Sequence, residues 1–355
     1  MMNTKQHSLL SKDSNASIFA QKFNQSYPKD IQKLKPTIAY NLYWYFAAER
    51  QNTFYNRYTK ASRPWTTDTI IAKYKFTNPY RATDRTSQFL IKEVIYSENN
   101  SPDDVLFRIL LFKLFNKIET WNLLKKQSKE ISIKTFNVEL YDKILTNAMH
   151  RGERIYSAAY IMPSGGRHSE FKKKHRMHLE LINKVIADKL YLDIVNASTL
   201  KMVYDRLISY PSIGSFLAFQ YAIDINYSHI CNHSENEFIV AGPGAVSGIT
   251  KCFRDLGGYD YSDVIKLMCD IQDHEFSRLN LQFKRLNNRK LHLIDCQNLF
   301  CETDKYARIA CPEIVGTSNR TRIKQVFKPN PLMYDLYFPP KWNINIHAPF
   351  ENNND

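Results

Sequence analysis

The chain has 355 residues, enough for one large domain or two coupled lobes. A hydrophobic fraction of 43% and a charged fraction of 24% belong to a chain with a packed core, which sets aside fibrous and wholly disordered classes. A formal net charge of +14 with 13% aromatic residues suits a nucleic-acid surface, where cations neutralise phosphates and rings stack on bases.

In chain order, residues 1–30 are rich in Ser, Asn, Gln and Lys, lack an apolar signal core, and read as a flexible leader. Helical periodicity dominates residues 31–319. It predicts helices over 38–56, 87–95, 103–116, 140–149, 170–187, 197–208, 214–223, 248–256, 261–280 and 291–306. Strand alternation is scarce, and 238–240 is the best short candidate. The most apolar stretch, 106–115, carries Arg108 and Lys113 and reads as a core helix, so no membrane partner is expected. Residues 320–355 hold Pro329, Pro331, Pro339 and Pro340 and read as a basic, aromatic strap.

Several segments carry chemistry. Phe54-Tyr-Asn-Arg-Tyr58 presents Arg57, and Arg63-Pro-Trp-Thr-Thr-Asp68 presents Trp65 as a wedge or core anchor. Asp68 reads as a helix cap ahead of a catalytic group. Arg81, Asp84, Arg85 and Gln88 recur at steps of three and four, which places them on one helix face. The basic run Arg167 to His178 is a solvated helix end or a phosphate contact. Tyr210-Pro-Ser-Ile-Gly214 joins two predicted helices as an ordinary turn or a hairpin that offers helix N–H groups to a phosphate. Gly242-Pro-Gly244 is a loop before a helix or an anion cradle, but no Walker A loop, since Gly-Lys-Ser/Thr is missing. A second polar face comprises Asp295, Asn298, Glu302 and Lys305, with Cys296, Leu299 and Phe300 on the packing side. The six cysteines form no Cys-x-x-Cys pair and read as reduced thiols of a cytoplasmic protein. His175 and His178 find no companion pair at zinc spacing, so neither metal nor cofactor is expected.

Six of these segments, in this order, resemble the helical domain of 5-hydroxymethyl-deoxyuridine DNA kinases and the α-glutamyl/putrescinyl-thymine pyrophosphorylase family. That family is regarded as a divergent branch of the helix-hairpin-helix DNA glycosylases. They are Arg63 to Asp68, Phe76 to Gln88, Ala159 to Met162, Ile213 to Gln220, Ala241 to Ala245 and Cys301 to Tyr306. The resemblance implies a mostly α, two-lobed fold with a central cleft, and DNA carrying modified pyrimidines as the partner. It also implies extrusion of the target base. No obligate protein partner is expected.

The expectation drawn from the resemblance is a monofunctional glycosylase that excises a hypermodified pyrimidine, such as glucosylated hydroxymethylcytosine, from phage DNA in anti-phage defence. The alternatives are a transferase acting on pyrophosphorylated hydroxymethyluracil and a non-catalytic DNA-binding module. Asp295 is the first choice for the carboxylate that stabilises a cationic sugar, Glu302 the second and Asp84 the rival. Lys305 neutralises a phosphate or tunes the carboxylate. Arg57, Trp65, Asp68, Arg81, Arg85, Gln88, Gly214, Gln220, Gly242, Gly244 and Asn298 are the expected DNA or base contacts. Two departures stand out. No Asp lies between Asp224 and Asp255, where hairpin glycosylases place theirs, and Ser215, Phe216 and Leu217 leave no lysine after the turn for a lyase step.

Overall fold

The computed structural model describes residues 27–97, 101–160, 162–164, 171–329 and 334–350. Most of the expected leader, the start of the basic run at 167–170, Ile161 and two pieces of the expected strap (330–333 and 351–355) lie outside the described residues. Among the described residues the fold is all-α, with three isolated β-bridges and no strand; 238–240 runs as extended chain.

The chain forms two compact units. The first takes its described residues from 1–84, 239–335 and 347–355. It contains α1 (Lys29–Lys33), α2 (Ile38–Tyr58), α3 (Thr69–Lys73), a 3₁₀ turn (Arg81–Thr83), α12 (Pro243–Cys252), α13 (Tyr261–Arg278) and α14 (Leu293–Ala310). Its core is built on α2, where Tyr40, Tyr43, Trp44, Phe46 and Ala47 are fully buried. Such all-round burial marks an interior helix. Tyr43 tilts against Phe300 at 4.6 Å, and Trp44 meets Phe276 edge-on at 5.1 Å, so α2 is held by α13 and α14. Helices α12 and α14 approach most closely at Gly248. A Cβ built there would lie 2.1 Å from the carbonyl oxygen of Phe300, so only glycine fits.

The second unit takes its described residues from 85–238 and 336–346. It contains α4 (Arg85–Phe89), a π-helical turn (Leu90–Ile95), α5 (Pro102–Phe115), α6 (Ile118–Ser128), α7 (Val138–His150), α8 (Lys174–Ala187), α9 (Leu190–Val195), α10 (Leu200–Ile208) and α11 (Ser215–Asn226). Its centre is α5, buried on every side. Arg108, expected in a core helix, is 1% exposed and donates from Nε to the Val94 carbonyl at 2.9 Å, satisfying the end of the π turn. Lys113 pairs with Asp224 of α11 at 3.0 Å in the interior.

The first polar stretch differs from the sequence expectation. Arg81, Asp84, Arg85 and Gln88 do not share one helix face. Arg81 to Thr83 is a 3₁₀ turn, Asp84 is extended at φ −68° and ψ 143°, and the helix starts at Arg85. Asp84 instead accepts the backbone N–H of Asn78 at 2.9 Å, the local bonding by which Asp competes with helix interiors.

Gly248→Ala should therefore destabilise the protein by about 2 kcal/mol or more, since the clash is with backbone and no side chain can swing away. Thermal and urea unfolding would show it; an unchanged midpoint would mean that α12 and α14 can separate freely.

Candidate functional site

Within the first unit, two carboxylates from distant sequence meet. Asp84 follows the 3₁₀ turn and Glu302 sits midway along α14. Three contacts on the same structural frame hold them. Asp295 Oδ1 accepts the Arg81 N–H at 2.8 Å, Glu302 Oε2 accepts the Thr77 N–H at 3.1 Å, and Asp84 Oδ1 accepts the Asn78 N–H. The Asn78 side chain is held by Arg50 of α2 on its oxygen and donates to the Thr83 carbonyl at 3.0 Å. Tyr334 donates to the same carbonyl at 2.6 Å. Lys305 pairs with Glu302 at 2.6 Å and lies 4.6 Å from the Phe76 ring centroid. Burial raises the Asp84 carboxyl to about 7; the Asn78 N–H and the Arg50 charge oppose the rise, and Glu302 adds to it. Burial also lowers the Arg50 guanidinium, against the pull of Asp84 and Glu302. The result is a carboxyl that changes charge near neutrality, beside a second carboxylate, a guanidinium and an ammonium.

Asp295 is built differently. It is 4% exposed, its Oδ1 takes the Arg81 N–H, and its Oδ2 takes the His292 N–H at 3.1 Å in a capping box at the start of α14. Asn298 is half-buried on the same helix. Gly242 is the N-cap of α12, and its N–H donates to Gln297 Oε1 at 2.9 Å. A Cβ on Gly244 would meet Cys301 Sγ at 2.9 Å, so this glycine serves close helix packing. Asp68 caps α3 through bonds of 2.8 Å to the N–H groups of Ile70 and Ile71 and accepts the Tyr306 hydroxyl at 2.6 Å. Trp65 is half-buried, donates to the Ala61 carbonyl at 3.0 Å, and carries Arg57 and Arg63 over its ring at 5.7 and 4.7 Å.

The remaining expected residues belong to the second unit. Arg85 is exposed. Gln88 is buried, and its amide pairs with the backbone of Tyr337 in both directions, at 2.7 and 3.0 Å. In the α10–α11 turn, Ser212 takes the left-handed conformation at φ 66°, and Gly214 is the exposed N-cap of α11. On α11, Phe216, Gln220 and Asp224 fall on one face at steps of four. Phe216 stacks on Tyr160 at 5.9 Å, and Lys113 lies 4.5 Å from that ring while pairing with Asp224. Gln220 is fully buried between them in sequence, and neither of its amide atoms finds a hydrogen-bond partner among the described residues. Of the basic run, Lys173 and His175 pair with Asp142 at 2.9 Å each, and Arg176 pairs with Glu139 and Glu180. Burial pushes His178 down to about 4.

Sequence reasoning missed Arg50 and Gln297. Arg50 sits in the polar stretch Glu49 to Thr53 and gave no signal; Gln297 had none beyond its place beside the polar face.

A family model described as the helical domain of 5-hmdU DNA kinase matches residues 37–316, and the chain belongs to that family. This sets it in a DNA base-modification context. A curated relative, the 5-hmdU DNA kinase of Bacillus phage SP10, is 24% identical over 285 residues. The alignment covers 75% of this chain and 44% of the phage protein, so the chain spans less than half the length of that relative. No solved structure matches. No helix among the described residues is long and apolar enough to cross a membrane.

Two predictions follow from these environments. Because the Asp84 carboxyl is raised from its ordinary value of 3.8 to about 7, the folded state holds this proton where the unfolded chain has lost it. Its contribution is complete below the unfolded value and is lost as pH rises toward 7, levelling off above. Unfolding midpoints measured from pH 4 to 8 should fall with pH more steeply in the wild type than in Asp84→Asn; parallel curves would contradict the raised carboxyl. Gln220→Met replaces an unpaired buried amide by an apolar chain of similar length. It should raise unfolding stability by about 1 kcal/mol, the scale of an unsatisfied polar group; a loss of that size would reveal a bond to Gln220.

Proposed function

We propose that this chain is a DNA-binding base-modification domain that takes DNA containing a 5-hydroxymethylated pyrimidine. It engages the substituent on C5 and leaves the glycosidic bond intact. The observation that carries this reading is Asp84, a carboxyl titrating near neutrality beside Arg50, Glu302 and Lys305, inside the segment matched to the kinase family. As a carboxylate, Asp84 accepts a hydrogen bond from the hydroxymethyl O–H. In a transfer to that oxygen it takes the proton as the new bond forms, which is the work of a general base with a pKa close to the working pH. The phosphoryl donor for such a transfer is a nucleoside triphosphate; its β–γ phosphoanhydride bond breaks as the new O–P bond forms, and the nucleoside diphosphate leaves with the bond's electron pair. Arg50 and Lys305 supply positive charge for the group transferred.

Two features favour chemistry at C5 over excision. The family relative is named for a kinase reaction, and both oxygens of Asp295 accept backbone N–H groups that tie the 3₁₀ turn to the start of α14. The net charge of +14 supports DNA as the partner. The sequence has no Walker A loop, which assigns this chain the handling of the DNA base more readily than of the triphosphate.

Fluorescence anisotropy with duplexes carrying one 5-hydroxymethyl-deoxyuridine or one thymidine tests the reading. The wild type should bind the modified duplex roughly 10-fold tighter, the scale of one hydrogen bond to a charged group. Asp84→Asn should lose most of that preference while keeping its affinity for plain DNA. Mass spectrometry of the recovered DNA should show no released base. Equal binding to both duplexes overturns the proposal, and abasic sites with free base would reinstate excision.

A further inference from the structure

A second feature of the first unit has no part in the site above. A cleft of about 400 Å³ is lined by Tyr55, Phe283, Lys284, Arg285, Asn288 and Phe350. Its floor is fixed. Gln51 of α2 donates to the Lys284 carbonyl at 2.8 Å, and Phe283 stacks on Phe276 at 4.6 Å. Its rim is a tight turn closed by the bridge between Leu286 and Arg289, with both central residues left-handed, Asn287 at φ 44° and Asn288 at φ 64°. Asparagine suits both positions, and such a turn presents its flanking side chains rigidly. Phe350 closes the far side with its ring edge-on to Tyr55 at 5.2 Å.

The lining has one chemical character: three rings, two cations and an amide, with no carboxylate. Arg285 pairs with Asp273, which also holds Lys290 at 2.7 Å. Lys284 meets no carboxylate among the described residues; its ammonium sits 4.3 Å from the centroid of the Tyr55 ring. A cation held against an aromatic face, with room beside it, offers one phosphate contact and one stacking surface. The volume lies within the range of small-molecule sites and accommodates a nucleotide. A base can stack on these rings only when it is unpaired, because duplex bases already stack on one another.

We propose that this cleft binds one unpaired nucleotide of a DNA strand. The base stacks on the Tyr55 ring with Phe350, which stands edge-on to that ring, against its rim; the phosphate lies against Lys284 and Arg285, and the Asn288 amide faces the base edge. The cleft is joined to the Asp84 site through packed residues of the same unit. Phe283 lies 5.7 Å from Tyr80, whose hydroxyl donates to the Arg289 carbonyl and whose backbone opens the 3₁₀ turn leading to Asp84. A strand opened around a target base therefore has a seat for a neighbouring nucleotide. The proposal rests on DNA being the partner, but not on recognition of the hydroxymethyl group.

The test uses the full chain and a fluorescent ten-residue oligothymidylate, with the modified and plain duplexes run in parallel. Tyr55→Ala and Lys284→Gln should each weaken oligothymidylate binding on the order of 10-fold, the scale of one stacked base or one lost phosphate contact. Lys284→Gln should also flatten the salt dependence by one phosphate. Tyr55→Phe keeps the ring and should bind as the wild type does, which separates stacking from loss of structure; unfolding midpoints of the variants serve as the fold control. Equal binding by wild type, Tyr55→Ala and Lys284→Gln overturns the proposal, as does a wild type that does not bind oligothymidylate. A wild type that binds oligothymidylate through this cleft but does not prefer the modified duplex refutes the reading of Asp84 and leaves the cleft standing.

Discussion

The candidate site depends on one buried carboxylate that acts as an anchor. Asp295 accepts the N–H of Arg81 with one oxygen and the N–H of His292 with the other, so it ties the 3₁₀ turn to the first turn of α14. Backbone N–H groups at a helix start have no intrahelical partner, and a buried carboxylate there is favoured by both the free donors and the helix dipole. The consequence is positional. Asp84 leaves the 3₁₀ turn and Glu302 lies two turns along α14, so fixing one against the other requires fixing the turn to the helix. Without that anchor the Thr77 and Asn78 N–H groups would have no reason to reach Glu302 and Asp84 together.

The same helix shows how burial sorts its acids. Asp304 is 2% exposed and is surrounded by Ser247, Lys251 and Arg308. Burial pulls its carboxyl upward, but the Arg308 bond, the Lys251 charge and the Ser247 hydroxyl outweigh it and hold the group below the ordinary range. That carboxylate is fully paired and ionised, and it stitches α12 to α14. In the second unit Lys113 and Asp224 play the corresponding part between α5 and α11. Buried pairs of this kind add little net stability against apolar replacements, yet removing one partner strands a charge. They hold the helices in one arrangement more than they hold the chain folded.

Much of the helical frame was legible in the sequence because long amphipathic or apolar runs have few ways to bury their surface. The second polar face did fall on a single helix, α14, and Cys296, Leu299 and Phe300 did turn inward. The first face was misread because spacing alone cannot see a capping bond. Asp84 prefers the Asn78 N–H to a place inside a helix, and the turn at Thr83 follows. Helix α3 was foreshadowed only by Asp68 as its cap, while α1, α6 and α9 were not marked by the periodicity; α1 and α9 are five and six residues long, too short for a repeat to register. Within the site, Arg50 was invisible since its partner Asn78 is a tertiary neighbour. The glycines of the Gly-Pro-Gly loop were read as open to a phosphate or a mobile loop. In the fold Gly242 starts α12, while Gly244 yields space to Cys301.

The choice of Asp84 over Asp295 rests on what each carboxyl does for the fold. Asp295 is satisfied by backbone donors and earns its burial through structure. Asp84 is left with one N–H bond and a carboxyl raised to about 7, which weakens the folded state near neutral pH. A protein selected for stability alone would replace it with Asn, which keeps the acceptor and loses the penalty. An acid whose burial works against the fold is a candidate for proton transfer or ligand contact, the role we propose for Asp84. The neighbours point to the same use. Arg50 places positive charge beside Asp84, Lys305 pairs with Glu302, and Glu302 raises Asp84 further, so the two carboxyls resist holding two negative charges at once. A carboxyl poised in this way is what the proposed chemistry on a hydroxymethyl substituent calls for, since a general base works best with a pKa close to the working pH.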